Sequence, residues 1–227
     1  MKLSLCIPTY EYNGNSKFLL TRLLNSIKLQ TTTDFEIVIS DQSTNSDVCD
    51  VCQEFDLNIK YVKCDLGGKS SYNINNAIKH ASGEYIKPIW MDDFILNKNT
   101  IATLVDNLDS CYWGAVDFIH IDDNKQMFNY MMPNYTTDIL SGNNRIGGPS
   151  VCFFKNDGNF FDEELIWFMD CDFYFRLNKK HQPLFLSVDS TPSMCISTEN
   201  QFGSITNTMI SQELINKEAE YLRKKYI

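Results

Sequence analysis

The 227-residue chain predicts an α/β fold in which a mostly parallel sheet is covered by helices on both faces. The first supporting observation is that short apolar runs alternate with segments whose apolar residues recur at helical spacing. The second is that a chain of this length, with 43% hydrophobic residues, can bury one substantial core. Because the sequence contains no internal repeat or linker, we expect a single compact domain.

The predicted elements of the first half follow one another as strand, helix, strand. Four short apolar runs are predicted strands: residues 2–9, 35–40, 59–64 and 84–91. The amphipathic segments between them are predicted helices: residues 17–29, 47–55 and 70–81. Strands joined through a helix are normally parallel neighbours, so this order predicts a parallel sheet.

The second half of the sequence is less regular. Strand-like and helix-like segments here are residues 111–121, 150–155, 170–180, 183–188 and 211–226, of which the third and the last are the predicted helices. Between the first two lies a polar, loop-rich stretch that ends in the doublet Gly147-Gly148. A long loop inside a compact domain is usually functional, so we expect this stretch to contribute to a site.

Charge and hydropathy exclude several classes of protein. The net charge of −9 and the isoelectric point near 4.8 argue against nucleic-acid binding and against electrostatic attachment to an anionic membrane. No stretch approaches the roughly eighteen apolar residues of a membrane span. The apolar run at residues 1–8 is too short and too soon interrupted for a signal peptide. We therefore expect a soluble, cytoplasmic protein. Contact of the terminal segment with the inner face of a membrane, or with another subunit, is a weaker alternative because its charges are mixed.

Polar residues follow the predicted strands at positions where open α/β sheets bind their ligands. Asp92 and Asp93 come directly after the apolar run that ends at Met91. Carboxylates at the end of a buried strand require a cation or hydrogen bonds, and hard oxygen ligands select magnesium, manganese or calcium. Since magnesium often shares its coordination with phosphates, we hypothesise a phosphate-bearing substrate. The alternative is that both aspartates cap the next segment and face solvent.

Several motifs occur in a specific order along the chain. They are SLCIPTY at 4–10, FEIVISDQST at 35–44, NNAI at 75–78, MDDF at 91–94 and MDCDFYFRL at 169–177. In this order and spacing, the chain resembles the inverting glycosyltransferases of family 2, which have the GT-A fold. The resemblance implies one Rossmann-like domain over residues 1–227. It also implies a nucleotide-sugar-binding half at 1–95 and an acceptor-binding half at 96–227.

For the donor half, the resemblance implies binding of a UDP- or dTDP-sugar. Thr9 and Tyr10, with Pro8 fixing the turn, are expected beside the nucleobase and ribose. Asp41 is expected to accept a hydrogen bond from the imide nitrogen of the base, and Asn75 to reach the nucleotide. Two local alternatives stay open: Asp41 as a turn residue that binds its own backbone, and Asn75 as an ordinary exposed helix residue.

For the metal, the resemblance implies that Asp92 and Asp93 are this chain's version of the family's DxD motif, with Mn²⁺ or Mg²⁺ as the cofactor. Asp93 is expected to hold the metal against the diphosphate, and Asp92 to contact the ribose or share the metal. The segment 197–202 lacks the histidine that some relatives place near the metal. Phosphates and water are therefore expected to complete the coordination.

For the catalytic base, the resemblance implies Asp170, which would take the proton of the attacking acceptor hydroxyl. Near the start of a helix it is expected to be ionised at neutral pH. If the register is off by two residues, Asp172 is the base instead. The structural alternative is a helix N-terminal charge at Asp170 and a surface pair of Asp172 with Arg176.

For the acceptor site, the resemblance implies fewer residues. Trp167 and Phe168 are candidates for stacking on a sugar, with core packing as the alternative. Gly147 and Gly148 match a stretch that borders the acceptor cavity in relatives, although backbone conformation alone explains glycine there. The acceptor is expected to be a surface glycan or lipid-linked saccharide, and transfer of a single sugar is expected because the helices of processive synthases are missing.

Two other functions are compatible with the motifs. The first is an inactive relative that binds a nucleotide or glycan without turnover. The second is a sugar-phosphate nucleotidyltransferase, which would require a glycine-rich loop with Arg and Lys after the first strand. The sequence Pro8-Thr9-Tyr10-Glu11-Tyr12 supplies no such loop. A hexosyltransferase-type enzyme is therefore the preferred interpretation, and the sequence leaves the oligomeric state open.

Overall fold

A computed structural model describes residues 1–11, 13–199 and 210–226. The α-helices of these ranges are α1 (Ser16–Lys28), α2 (Asp47–Glu54), α3 (Ser70–His80), α4 (Thr100–Asn107), α5 (Met169–Lys180) and α6 (Gln212–Tyr226). The strands are β1 (Leu3–Thr9), β2 (Phe35–Asp41), β3 (Ile59–Lys63), β4 (Tyr85–Pro88), β5 (Phe94–Ile95), β6 (Trp113–Val116), β7 (Phe118–Ile121), β8 (Met127–Met131), β9 (Cys152–Lys155), β10 (Leu184–Leu186) and β11 (Met194–Ser197). The predicted alternation of strands and helices in the first half is confirmed.

The larger sheet has seven strands in the order β10-β6-β9-β4-β1-β2-β3. Neighbours are parallel except where β9 runs antiparallel to β4 and β6, so the sheet is mostly parallel, as predicted. Strand order reverses at β1, because β2 lies on one side of it and β4 on the other. Ligands of such sheets bind outside the carboxyl ends of the strands at this reversal.

The core lies around the central strands. Every residue of β1 and β2 is buried, which explains why both read as continuous apolar runs rather than alternating ones. Helix α1 contributes Leu20, Leu23 and Leu24 to this core, at the spacing that marks one helical face.

A second sheet has four strands in the order β5-β11-β7-β8. Residues 111–121, which we predicted as one strand, are divided between the two sheets at Asp117. The backbone N–H of Asp117 donates to Leu186 O of β10, while Met194 N of β11 donates to Asp117 O. Asp117 is therefore the point where the chain passes from the larger sheet to the smaller one.

The strand predicted at 84–91 ends at Pro88, and Ile89 N makes a final backbone hydrogen bond to Cys6 O of β1 at 2.9 Å. Trp90 N donates to Ser150 Oγ at 2.8 Å instead of to a neighbouring strand. The chain therefore turns through Asp92 and Asp93 before it enters β5. In the part of the chain that the structure describes, no helix is both long and apolar enough to cross a membrane.

Candidate active site

Asp41 is the last residue of β2 and pairs in register with Thr9 at the end of β1. Both side chains are buried. The carboxylate accepts hydrogen bonds from Ser43 N at 2.8 Å and Tyr61 Oη at 2.7 Å, and Lys63 Nζ lies 3.1 Å away. Burial opposes ionisation, but these donors hold the pKa of Asp41 below its usual value. The local turn contact left open by the sequence is present, within a larger network around an ionised carboxylate.

We expect Asp41→Asn to lower the free energy of unfolding by about 2 kcal/mol at pH 7, because it removes a buried charge that holds Tyr61 and Lys63. A lowered folded-state pKa adds stability above the unfolded value of about 3.9, and this is lost as pH falls through the folded value. The difference between wild type and variant should therefore shrink between pH 7 and pH 3 in urea titrations. An equal difference at both pH values would contradict the assignment.

The other residues expected beside the nucleotide occupy different settings. Pro8 lies within β1, opposite Ser40, so the expected turn begins later, at Tyr10. Tyr10 is 52% exposed and is available to stack on a base. Thr9 O accepts hydrogen bonds from Gln42 N at 3.0 Å and Asn73 Nδ2 at 2.7 Å, which ties β1 to α3.

Asn75 is buried in α3 rather than exposed. Its side chain forms a two-way contact with Phe161, donating to the carbonyl and accepting from the amide, both at 2.9 Å. It also donates to Glu163 Oε1 at 3.0 Å. Asn75 therefore joins α3 to the segment that leads to α5, and its contact with a nucleotide stays a prediction.

Asp92 and Asp93 form the turn between β4 and β5, which we call the aspartate turn. Asp93 is buried and accepts a hydrogen bond from Ser197 N of β11 at 2.8 Å, so it does not face solvent. Burial, and next the charge of Asp92, raise the pKa of Asp93 above its usual value, while Arg22 opposes the rise. Arg22 also donates to the Asp92 carbonyl at 2.5 Å. The paired carboxylates thus lie in a setting where an added cation would stabilise their ionised form.

Asp170 lies in the first turn of α5, as the sequence predicts. Asn144 Nδ2 donates to its Oδ2 at 2.8 Å, and Cys171 N donates to its Oδ1 at 2.7 Å. Burial raises the pKa of Asp170 to about 6, against the effect of these two hydrogen bonds. Asp170 is therefore mostly ionised at neutral pH, yet has a pKa close enough to neutrality for a general base.

Asp172, the alternative base, is fully buried, and both of its carboxylate oxygens have polar partners. Arg176 Nε lies 2.8 Å from one oxygen, while Lys225 Nζ and Tyr226 Oη lie 2.8 and 2.6 Å from the other. The predicted pair with Arg176 is present, although the carboxylate is inside the protein rather than on the surface. These contacts favour Asp170 as the base and give Asp172 a structural role.

One segment, residues 144–151, connects the aspartate turn to Asp170. Asn144 binds Asp170 at one end, and Ser150 Oγ accepts from Trp90 N at the other. Gly147 has φ +111°, and a Cβ there would lie 2.9 Å from the Phe118 ring, so only glycine fits. Gly148 borders open space. The segment therefore lies between the proposed base and the proposed metal ligands.

The family model described as "Glycosyl transferase family 2" matches residues 4–156, about two-thirds of the chain. The chain belongs to glycosyltransferase family 2. Staphylococcus aureus TarS, a poly(ribitol-phosphate) beta-N-acetylglucosaminyltransferase, is 32% identical over 107 residues, which are 44% of this chain and 18% of TarS. GalNAc(5)-diNAcBac-PP-undecaprenol beta-1,3-glucosyltransferase of Campylobacter jejuni is 31% identical over 115 residues, which are 49% of this chain and 36% of that enzyme. The alignments thus span only a minor part of either relative.

Solved structures show that this family 2 chain has the GT-A fold. The complex of S. aureus TarS 1-349 with UDP-GlcNAc matches with a TM-score of 0.66 and 22% identity, covering 100% of this chain and 73% of that one. The mannosyltransferase PcManGT of Pyrobaculum calidifontis, in complex with GDP-Man and Mn²⁺, matches with a TM-score of 0.58 and 17% identity. That match covers 88% of this chain and 55% of that one.

The aspartate turn of this family 2 chain offers few side chains that could coordinate a metal ion. Among residues 1–11, 13–199 and 210–226, no group of three or more His, Cys, Asp or Glu side chains is placed to hold a metal ion. Two carboxylates still fit magnesium or manganese, because such ions commonly take one or two carboxylates together with substrate phosphates and water. Of the segment 197–202, residues 200–202 lie outside the described ranges. Glu199 is buried and pairs with Arg22 and Lys125.

On the acceptor side, the two aromatic candidates differ. Trp167 is 38% exposed, so its ring is accessible to a sugar. Phe168 is buried in the core, as the packing alternative predicts, and is not available for stacking. Trp167 therefore stays a predicted acceptor contact together with Gly148, and Phe168 does not.

Two cationic side chains near the aspartate turn, the buried Lys87 and the partly buried Arg22, escaped the sequence analysis. Lys87, within β4, donates to the Ser150 carbonyl, and burial lowers its pKa to about 8. Arg22, on α1, joins Glu199 to the Asp92 carbonyl. A lysine inside an apolar strand was a visible signal of a buried contact. Arg22 gave no such signal, because its partners lie 70 and 177 residues away in the sequence.

Proposed function

We propose that the protein is an inverting glycosyltransferase that moves one sugar from a UDP- or dTDP-sugar to a saccharide or lipid-linked saccharide acceptor in the cytoplasm. The observation that carries the proposal is the arrangement of Asp170 and the Asp92–Asp93 turn at opposite ends of segment 144–151. A single displacement requires a base on one side of the anomeric carbon and charge stabilisation for the leaving group on the other. Family membership is consistent with this chemistry.

The donor half of the proposal rests on Asp41 and Tyr10. A carboxylate accepts hydrogen bonds but donates none when ionised, which suits the imide N–H of uracil or thymine. Ser43, Tyr61 and Lys63 hold this carboxylate in place. The TarS complex with UDP-GlcNAc supports a uridine nucleotide as the first donor to examine.

The metal half of the proposal assigns Asp93 as a ligand of Mn²⁺ or Mg²⁺, with Asp92 sharing the ion or contacting the ribose. When bound, such an ion offsets the charge that develops on the departing nucleoside diphosphate. The raised pKa of Asp93 supports this assignment, because a cation is what would keep the buried carboxylate ionised. The Mn²⁺ in the PcManGT complex is consistent with it.

In the proposed reaction, the acceptor hydroxyl attacks the anomeric carbon while its proton passes to the Asp170 carboxylate. The bond from that carbon to the diphosphate oxygen breaks, and the electron pair leaves with the nucleoside diphosphate. Asn144 and Cys171 fix the orientation of the carboxylate before the proton arrives. Trp167, which is partly exposed, is proposed to stack on the acceptor sugar.

The pKa of Asp170 leads to a pH prediction. Because the base must be ionised and burial raises its pKa to about 6, kcat/KM for the acceptor should fall as pH decreases through that value, tenfold per pH unit below it. The measurement is initial turnover between pH 5 and pH 8 at saturating donor and subsaturating acceptor. A kcat/KM that stays constant down to pH 5 would contradict the assignment of this carboxylate.

The experiment that tests the proposed function is a turnover assay with UDP-, dTDP- and GDP-sugars, each with Mn²⁺, Mg²⁺ or EDTA. We expect release of nucleoside diphosphate from one uridine or thymidine donor, dependent on the metal. If calorimetry shows donor binding but no acceptor supports turnover, the chain is an inactive binding relative. If no donor binds with or without metal, the nucleotide-sugar assignment is wrong.

A further inference from the structure

We propose that Glu218, on the terminal helix α6, is a positioning residue for the catalytic base, an inference that rests on the role of Asp170 in the proposed function. The residue lies outside the part of the chain that the family model matches. No motif of the sequence singles it out. Its side chain is nevertheless buried, although it belongs to a helix that carries many charges.

The Glu218 carboxylate binds three successive backbone amides just before α5. Oε1 accepts from Ile166 N at 2.8 Å, and Oε2 accepts from Trp167 N and Phe168 N, both at 3.0 Å. Backbone N–H groups at the start of a helix have no partner within the helix, so a carboxylate there satisfies them and interacts favourably with the helix dipole. Through these three contacts, the buried Glu218 side chain connects α6 to the start of α5.

These amides are directly linked to the proposed base. Phe168 is the N-cap residue of α5, and its carbonyl accepts from Asp172 N at 2.9 Å, which forms the first helical turn. Asp170 lies within that turn. Fixing residues 166–168 therefore fixes the direction in which the Asp170 side chain projects from the helix. It also fixes the backbone of the exposed Trp167.

Packing alone leaves room on this side of α5. A cavity of about 380 Å³ lies next to the start of the helix, between α6 and the turn at 139–141, and Phe168, Leu140 and Leu222 line it. Without the Glu218 contacts, Phe168 could shift toward this space. A displacement of 1 Å in a catalytic group typically costs about a hundredfold in rate, so the contact matters for catalysis.

The carboxyl-terminal half of α6 has further contacts of its own, which make the helix a firm support. Lys225 bridges Asp162 at 2.5 Å and Asp172 at 2.8 Å, and Tyr221 donates to Asp162 at 2.9 Å. Loss of the Glu218 contacts should therefore loosen residues 166–168 without releasing α6 from the protein. This separation allows a positioning role to be distinguished from a general loss of folding.

The test compares Glu218→Gln with Glu220→Gln in the full chain. Glutamine keeps one acceptor oxygen but places an NH₂ group against the amides, so at least one contact is lost. Glu220 is exposed and pairs with Lys224 on the same helix, so its variant carries the same charge change without the amide contacts. We expect Glu218→Gln to lower kcat for donor turnover about ten- to a hundredfold, with the donor Kd unchanged, and Glu220→Gln to match wild type.

Hydrogen exchange supplies a readout that does not need activity. Amides of residues 166–172 should exchange faster in Glu218→Gln than in wild type or Glu220→Gln, at a temperature where all three are folded. Equal exchange in the three proteins would overturn the proposal, as would an unchanged kcat. If wild type turns over no donor, the proposed function has failed, and the exchange comparison still decides whether Glu218 orders this segment.

Discussion

Replacing Asp170 with asparagine is expected to lower kcat about 10²- to 10⁴-fold, because the amide cannot take the proton of the acceptor hydroxyl. The donor Kd should be unchanged, since the donor is proposed to bind at the carboxyl ends of β1 and β2 rather than at α5. Asparagine has nearly the same shape, but it keeps only one of the two hydrogen bonds, because Asn144 and Cys171 donate to different oxygens of the carboxylate. Turnover and calorimetric titration of the same preparation check both parts of this expectation.

Asp172→Asn serves as the matched control for Asp170→Asn. It makes the same change two residues away, but at a carboxylate that holds Arg176, Lys225 and Tyr226. We expect it to destabilise the fold by about 3–5 kcal/mol and, at a temperature where it is folded, to lower kcat less than Asp170→Asn does. An active Asp170→Asn beside an inactive, folded Asp172→Asn would reverse the assignment of the base.

Replacing Asp93 with alanine is expected to lower kcat/KM about 10²- to 10⁴-fold and to abolish the dependence of donor binding on Mn²⁺. Asp93 would hold the ion that offsets the charge developing on the leaving diphosphate, so its removal would take away several kcal/mol of stabilisation from the leaving group. Calorimetric titrations of UDP with Mn²⁺ and with EDTA measure the effect. A variant that binds UDP with the same metal dependence as wild type would exclude Asp93 as a ligand.

The stability of Asp93→Ala separates a functional role from a structural one. The carboxylate is buried, and its pKa is raised mainly by burial, so it costs free energy in the absence of a cation. In EDTA we therefore expect the variant to unfold at the same or a higher denaturant concentration than wild type. Asp41→Asn should show the opposite behaviour, because Asp41 has donors that compensate its charge.

Local sequence patterns predicted the parts of the site that lie at the ends of regular elements. β1 and β2 are continuous apolar runs because both faces of these strands are buried, and the polar residues after them mark the binding edge. Asp93 was identified in the same way, from its position after a strand, whereas Asp170 was identified through the family resemblance. The roles assigned to these residues came from the family resemblance.

Residues that act through distant contacts could not be predicted from the sequence. Glu218 reads as one of several charges on an amphipathic helix, and only the folded chain brings it to Phe168, 50 residues away. The division of the strand at Asp117 depends on one backbone contact to each sheet, which no periodicity reports. Asp172 looked like a surface ion pair because its additional partners lie on α6, 53 and 54 residues away.

The most direct test of the account is the anomeric configuration of the sugar product, followed by proton NMR in the first minutes of turnover of an α-linked UDP- or dTDP-sugar. One base at Asp170, opposite the leaving diphosphate, predicts a single displacement and therefore a β-configured product. A product that retains the α configuration, or the absence of turnover from every uridine and thymidine donor, would contradict the proposed mechanism.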